Sequence, residues 1–138
     1  MATSLEGSTA RYPYCGIPHM QINEDGASAP SDDAVKAAVS EAVSGYRRVF
    51  GERLAQVWLF GSRATGTHRP DSDVDLLAVL HEECGRGADI LKLCSVANPL
   101  RRAYGVHIDG HPTTLAELDT SNDDFHHFVR LEGHRLDE

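Results

Sequence analysis

A chain of 138 residues and 15.1 kDa is the size of one domain and can bury roughly 70% of its unfolded surface without staples. Apolar residues make up 41% and charged residues 25%, slightly polar for a globular protein, and no apolar run approaches the ~20 residues that span a bilayer. Thirteen Lys and Arg against twenty-one Asp and Glu leave a formal net charge of −8, which disfavours a nucleic-acid partner because a phosphate backbone would be repelled.

Residues 1–30 carry Pro13, Pro18 and Pro30 with scattered Gly and Ser and no sustained period, so they are expected to form an irregular N-terminal arm. The remaining residues, 31–138, hold the domain. Val35, Ala38, Val39, Ala42, Val43, Tyr46, Val49 and Phe50 recur at three- and four-residue steps, predicting an amphipathic helix. Ser31 is its N-cap, Asp32 and Asp33 favour its positive end, and Gly51 ends it. Leu54 to Phe60 and Val74 to Leu80 read as strands.

Ile90, Leu91, Leu93, Cys94, Val96, Leu100 and Tyr104 predict a second helix, broken or bent near Pro99 and ended by Gly105. Val106 to Asp109 reads as a third short strand, and Gly110, His111 and Pro112 as the turn that follows. Thr113 to Asp119 is ambiguous. Ser121 with Asp124 resembles a capping box, and Phe125, Phe128 and Val129 form one apolar face of a last helix running into an acidic tail. The order predicts an α/β domain, a small mixed sheet with helices packed on it.

The informative stretch lies between the first two strands. Leu59-Phe60 runs into Gly61-Ser62-Arg63, and after a loop Asp73-Val74-Asp75-Leu76 begins the next strand. Because strand side chains alternate, Asp73 and Asp75 share a face, with Cβ atoms about 6 to 7 Å apart. Two parallel carboxylates at roughly 5 Å repel by about 3 kcal/mol at an effective dielectric of 20, whereas a divalent cation reverses the sign, and Mg²⁺ is typically held by one or two carboxylates plus substrate phosphate oxygens. Gly61 lets backbone amides approach an anion and Ser62 can donate to a phosphate oxygen, with Arg63 adding positive charge. Asp109 is the expected third carboxylate, placed to bind metal and to serve as general base.

With ten residues between Ser62 and Asp73, this stretch resembles the signature of the nucleotidyltransferase superfamily related to DNA polymerase β: Gly-Ser, about ten residues, then Asp-x-Asp, with a third carboxylate on a later strand. The resemblance covers residues 32–138 and is nearest to the minimal nucleotidyltransferases, which include antitoxins that transfer AMP from ATP onto a partner toxin of the HEPN ribonuclease class. It implies a polymerase β-like fold, one or two Mg²⁺ ions, ATP or another NTP as substrate, and transfer of NMP to a hydroxyl. Gly61, Ser62 and Arg63 would bind the nucleotide together with Asp73 and Asp75, and Asp73, Asp75 and Asp109 would bind metal and carry catalysis. The chain has Thr65 where many minimal members carry Arg, and the arm has no counterpart in the family pattern.

A tyrosine of a HEPN-type toxin is the leading acceptor. The alternatives are a small molecule of the aminoglycoside type, which would call for an added substrate-binding domain or a dimer, and a non-catalytic antitoxin that masks its partner. Three cysteines, Cys15, Cys84 and Cys94, give no disulfide framework or zinc spacing and fit a cytoplasmic protein. Eight histidines are present, but His107 and His111 straddle the predicted strand end, and His126 and His127 diverge by about 100° on a helix, so no transition-metal site is read. Arg101 and Arg102 complement a helix C-terminus.

Overall fold

The first predicted helix, α1 (Asp32–Phe50), forms with Ser31 capping it through Ala34 N and with Gly51 at its end. The computed structural model describes residues 29–83 and 85–137; nearly all of the predicted arm therefore lies outside the described residues. A 3₁₀ turn, Gly51–Arg53, leads into β1 (Leu54–Phe60), a single helical turn α2 (Ser62–Thr65), β2 (Val74–Leu80) and α3 (Arg86–Tyr104). Then follow β3 (Ile108–Thr114), α4 (Leu115–Thr120), α5 (Asp124–Glu132) and the two-residue β4 (His134–Arg135).

The sheet order is β3-β2-β1-β4. β1 pairs antiparallel with β2 and with β4, and β2 pairs parallel with β3, so the sheet is mixed. Val74, Leu76, Ala78 and Leu80 of β2 pack with Ala42, Tyr46 and Phe50 of α1 and Leu93, Val96 and Leu100 of α3. The alternate residues Leu77 and Val79 pack instead with Leu118 of α4 and Val129 of α5. Both faces of the sheet are thus covered, the second only along part of the strands.

Three local expectations are corrected and one ambiguity is resolved. Pro99 does not break α3, which runs through it for 19 residues. Pro99 and Ser95, four residues before it, both lie on the exposed side, where solvent tolerates the lost hydrogen bond. The last helix is capped by Asp123, whose side chain accepts from His126 N, not by Ser121. Thr113 to Asp119 resolves into the end of β3 and most of α4, capped by Thr114. Cys94 is disulfide-bonded, which the cysteine spacing does not announce.

The largest difference is in β3. The predicted turn at Gly110-His111-Pro112 is strand, in unbroken parallel register with β2 as far as Thr114 opposite Leu80. β3 is an edge strand, where Pro112 costs no ladder hydrogen bond if its nitrogen faces outward. Gly110 answers to a contact from far along the chain: a Cβ there would stand 2.6 Å from the Tyr46 hydroxyl and 3.3 Å from Leu93 Cβ.

Tyr46 is fully buried, and its hydroxyl finds no hydrogen-bond partner among the described residues. Burial, and then the charge of Asp109, push this phenol far above its ordinary value. Gly110→Ala is expected to cost about 1–3 kcal/mol through overpacking. Tyr46→Phe alone is expected to be neutral or slightly stabilising, because it deletes a buried hydroxyl, and the double variant should recover most of the loss. Urea unfolding of the four proteins measures this coupling.

Candidate active site

β1 delivers Phe60 opposite Asp75, and β3 delivers Asp109 directly opposite Asp75 on the other side of β2. By strand alternation Asp75 shares its face with Leu77 and Val79, and Asp109 with His111 and Thr113, the side on which α4 and α5 lie. Asp109 is buried to 3% exposure, while Asp75 is partly exposed. One oxygen from each carboxylate and one ring nitrogen of His111 all lie within 4.8 Å of one another. The His111 Nε2 to Asp109 Oδ2 distance is 3.7 Å.

Asp73 lies just before β2, one strand step from this cluster. Val74 N donates to His107 O at 2.9 Å, which extends the parallel pairing and sets Asp73 beside His107, with Oδ1 3.3 Å from Nδ1. The Arg101 guanidinium is pushed down by burial and then by Arg102, against the pull of Asp73. Asp73 therefore feels the C-terminal end of α3, a neighbourhood the sequence reading had left to Arg101 and Arg102 as helix-end residues.

Gly61 joins β1 to α2 with φ +79°. A Cβ there would collide with Asp75 Oδ2 and stand 3.1 Å from its Cγ, so the absence of a side chain at Gly61 is what gives the Asp75 carboxylate its place. Gly61→Ala is expected to cost about 1–3 kcal/mol from the positive φ and the clash, and to lower turnover about 100-fold by displacing Asp75. Denaturant unfolding and steady-state rates on the same preparation test both.

Ser62 opens α2, and the amides of Gly66 and Thr67 donate back to its carbonyl. Arg63 turns toward the following loop: Nε donates to Ser72 O and Nη2 to Pro70 O, both at 3.1 Å. It braces the loop that leads to Asp73. Ser72 closes that loop from within, accepting Arg69 N on its hydroxyl at 2.8 Å and donating its own amide to Arg69 O.

Two cavities meet at Phe60, Gly61 and Phe125. One, about 650 Å³, holds Asp75, His111, Thr113 and His126 in its wall. The other, about 450 Å³, is lined by Ser62, Thr65, Thr67 and Phe128. Both volumes suit a small ligand. A third, about 640 Å³, lies against α1 on Val39, Arg47 and Leu59 and contains none of the three carboxylates.

The far wall of the larger cavity is fixed by polar contacts. His126 Nε2 lies 2.8 Å from Thr113 Oγ1, and its Nδ1 lies 2.8 Å from Asp123 Oδ1. The His126 backbone N–H, then its ring, hold the Asp123 carboxyl below the usual range. Thr113 donates on to Glu117 at 3.1 Å. Phe125 meets Phe60 edge-on, with ring centres 5.2 Å apart.

The sequence pattern sets His107, His111 and His126 aside and gives no sign of Thr113, yet His111, Thr113 and His126 line the cavity and His107 stands beside Asp73. His111 stands two residues beyond Asp109, so strand alternation would have found it had β3 been read through Gly110.

The model of the family described as nucleotidyltransferase domain matches residues 43–132, a span that holds Gly61, Ser62, Asp73, Asp75 and Asp109. No curated protein matches the chain. Among solved structures it is similar to a candidate nucleotidyltransferase from Sulfolobus solfataricus, at 20% identity over 67% of this chain and 84% of that one, with a TM-score of 0.47. It is also similar to a toxin-antitoxin with AMP-PNP, at 20% identity over 68% of each chain with a TM-score of 0.49. A mutant of the toxin-antitoxin MntA-HpeT is similar at 21% identity over 70% of each chain, with a TM-score of 0.49.

Proposed function

The chain belongs to the nucleotidyltransferase domain family and is a transferase, and on that premise we propose that it moves AMP from ATP to a hydroxyl of a protein partner, acting as an antitoxin toward a HEPN-type toxin. The observation that carries this reading is the direct pairing of Asp75 with Asp109 across β2 and β3, beneath a glycine whose missing side chain makes room for one of the two carboxylates.

The donor set fits a hard divalent cation: the Asp75 and Asp109 oxygens cluster, with Asp109 buried and Asp75 at the wall of a cavity sized for a nucleotide. Asp73, Asp75 and Asp109 would hold one or two Mg²⁺ ions. When bound, such an ion supplies positive charge to the triphosphate and to the oxygen that leaves.

The protein's own residues do the rest. Gly61 lets phosphate oxygens approach the backbone, and Ser62 donates its hydroxyl to one of them. Arg63 keeps its charge beside them while it holds the Asp73 loop. Asp109 orients the acceptor hydroxyl and takes its proton as that oxygen bonds to the α-phosphorus; the bond from the α-phosphorus to the bridging oxygen breaks, and pyrophosphate leaves.

A protein acceptor is favoured over a nucleic acid by the net charge of −8 and by the apolar stripe on α5 beside the smaller cavity, where Phe128 is 57% and Leu131 66% exposed. No helix among the described residues is long and apolar enough to cross a membrane, and a cytoplasmic site of action is part of the proposal.

Incubation with α-labelled ATP, Mg²⁺ and a purified HEPN-class ribonuclease, and in parallel with an aminoglycoside, tests the reading. Covalent label on a tyrosine of the ribonuclease, with pyrophosphate released, is the expected result. Inhibition of the ribonuclease without label would replace transfer by masking, and label on an aminoglycoside in place of the protein would move the acceptor to small molecules.

A further inference from the structure

We propose that His111 is a direct ligand in the cation site, and that the site therefore holds first-row transition ions, Mn²⁺ included, more tightly than Mg²⁺. This inference rests on the reading of Asp75 and Asp109 as cation ligands and adds a nitrogen donor to them.

The continuation of β3 through Gly110 sets His111 two residues after Asp109 on the same face of the sheet. Its Nε2 lies 3.7 Å from Asp109 Oδ2, and one donor atom from each of the three residues falls within 4.8 Å of the others. Adjacent donors on an ion with bonds of about 2.1 Å stand roughly 3 Å apart and opposite donors about 4.2 Å. The cluster is thus close to ion-sized, and small side-chain rotations close the difference.

The ring is held in place. It meets Phe60 edge-on at 5.2 Å and lies 6.1 Å from Phe125, and its side chain is only 12% exposed. A ligand this constrained loses little freedom on coordinating.

Donor chemistry sets the preference. Mg²⁺ takes oxygen ligands and dehydrates reluctantly, whereas imidazole suits Zn²⁺, Cu²⁺, Fe²⁺ and Ni²⁺, and Mn²⁺, the weakest binder of that series and the one nearest Mg²⁺ in its liking for oxygen, is the most demanding probe of the added nitrogen. Two carboxylates and one imidazole, with the remaining positions open to phosphate oxygens and water, give an oxygen-rich set with one nitrogen, which Mn²⁺ accepts with less loss than Mg²⁺ does.

The test is binding rather than turnover. The EPR signal of free Mn²⁺ is titrated with the full-length chain, and Mg²⁺ affinity is read by its competition against Mn²⁺. Mn²⁺ is expected to bind at least about tenfold more tightly than Mg²⁺; His111→Ala should weaken Mn²⁺ about tenfold or more while moving Mg²⁺ no more than about threefold. His111→Gln, which keeps the bulk and offers an oxygen, should hold Mg²⁺ affinity and also lose the Mn²⁺ preference.

If both ions weaken together in His111→Ala and His111→Gln, the histidine only positions Asp109 and the proposal is overturned. Equal affinity of the unaltered chain for the two ions overturns it as well. Asp109→Asn separates this failure from failure of the underlying reading: loss of both ions in that variant, with selectivity intact in the His111 variants, sinks only the histidine's role, whereas unchanged binding of both ions in Asp109→Asn sinks the carboxylate site itself.

Discussion

Asp75→Asn is expected to lower nucleotidyl transfer by about 10³-fold or more, equivalent to ~4 kcal/mol of lost transition-state stabilisation, while leaving the fold intact. The substitution keeps size and shape and removes one negative charge from the pair formed with Asp109. That charge is what would hold a cation against the triphosphate, so the loss should appear in kcat, with ATP binding in the presence of cation weakened too. The same change relieves repulsion between two carboxylates within 4.8 Å of one another, so in chelator the variant should unfold at the same temperature as the parent or higher. A dead enzyme with undiminished stability is the signature of a site that trades stability for chemistry. Parallel rate assays and thermal melts with EDTA measure both halves of the expectation.

Asp89→Ala is expected to cost about 3 kcal/mol or more, because it breaks a buried ion pair and strands one partner. Asp89 stands in the first turn of α3 at 2% exposure and receives two hydrogen bonds from Arg53, Nη1 to Oδ1 and Nη2 to Oδ2, each 2.9 Å. Arg53 belongs to the turn after α1, and its guanidinium also lies over the Phe50 ring at 5.8 Å. The pair therefore ties the start of one core helix to the end of the other. Arg53 keeps 24% of its side chain exposed, which places the cost near the lower end of the range for fully buried pairs. For a domain of this size the loss corresponds to a fall of roughly 10 °C in Tm. Replacing both residues by apolar ones of similar volume should recover a large part of it, since what Asp89→Ala leaves behind is an uncompensated guanidinium. Calorimetric melts of the single and double variants test this, and transfer activity well below Tm should be little changed.

The placement of the candidate site's residues was legible in the sequence to the extent that its signals are local. Gly61-Ser62, ten residues, then Asp73-Val74-Asp75 can be read without coordinates, because a strand end and a strand start of fixed alternation place those side chains whatever packs around them. Ser31 and Gly51 mark α1 for the same reason.

β3 was misread because its determinants are distant. Gly110 looks like a turn residue, yet it is needed where the Tyr46 hydroxyl approaches from a helix more than sixty residues earlier. Pro112 looks like a terminator, yet an edge strand accommodates it. Ending the strand at Asp109 hid His111, which fell into a supposed turn. The Arg63 hydrogen bonds to the carbonyls of Pro70 and Ser72 were also out of reach, because they depend on how the loop folds back, which no local pattern encodes. The same holds for β4: Arg135 opposite Trp58 and His134 opposite Leu59 lie in what reads as a polar tail.

In the proposed reaction Asp75 and Asp109 jointly hold a divalent cation against the phosphates of a bound nucleotide. Calorimetric titration of the chain with a non-hydrolysable ATP analogue, in divalent cation and again in EDTA, tests it most directly, alongside the Asp109→Asn variant. Binding that requires the cation and that weakens at least about tenfold in Asp109→Asn is the predicted result. Equal binding with and without cation, or an Asp109→Asn variant that binds the analogue as the parent does in the presence of the ion, would contradict it.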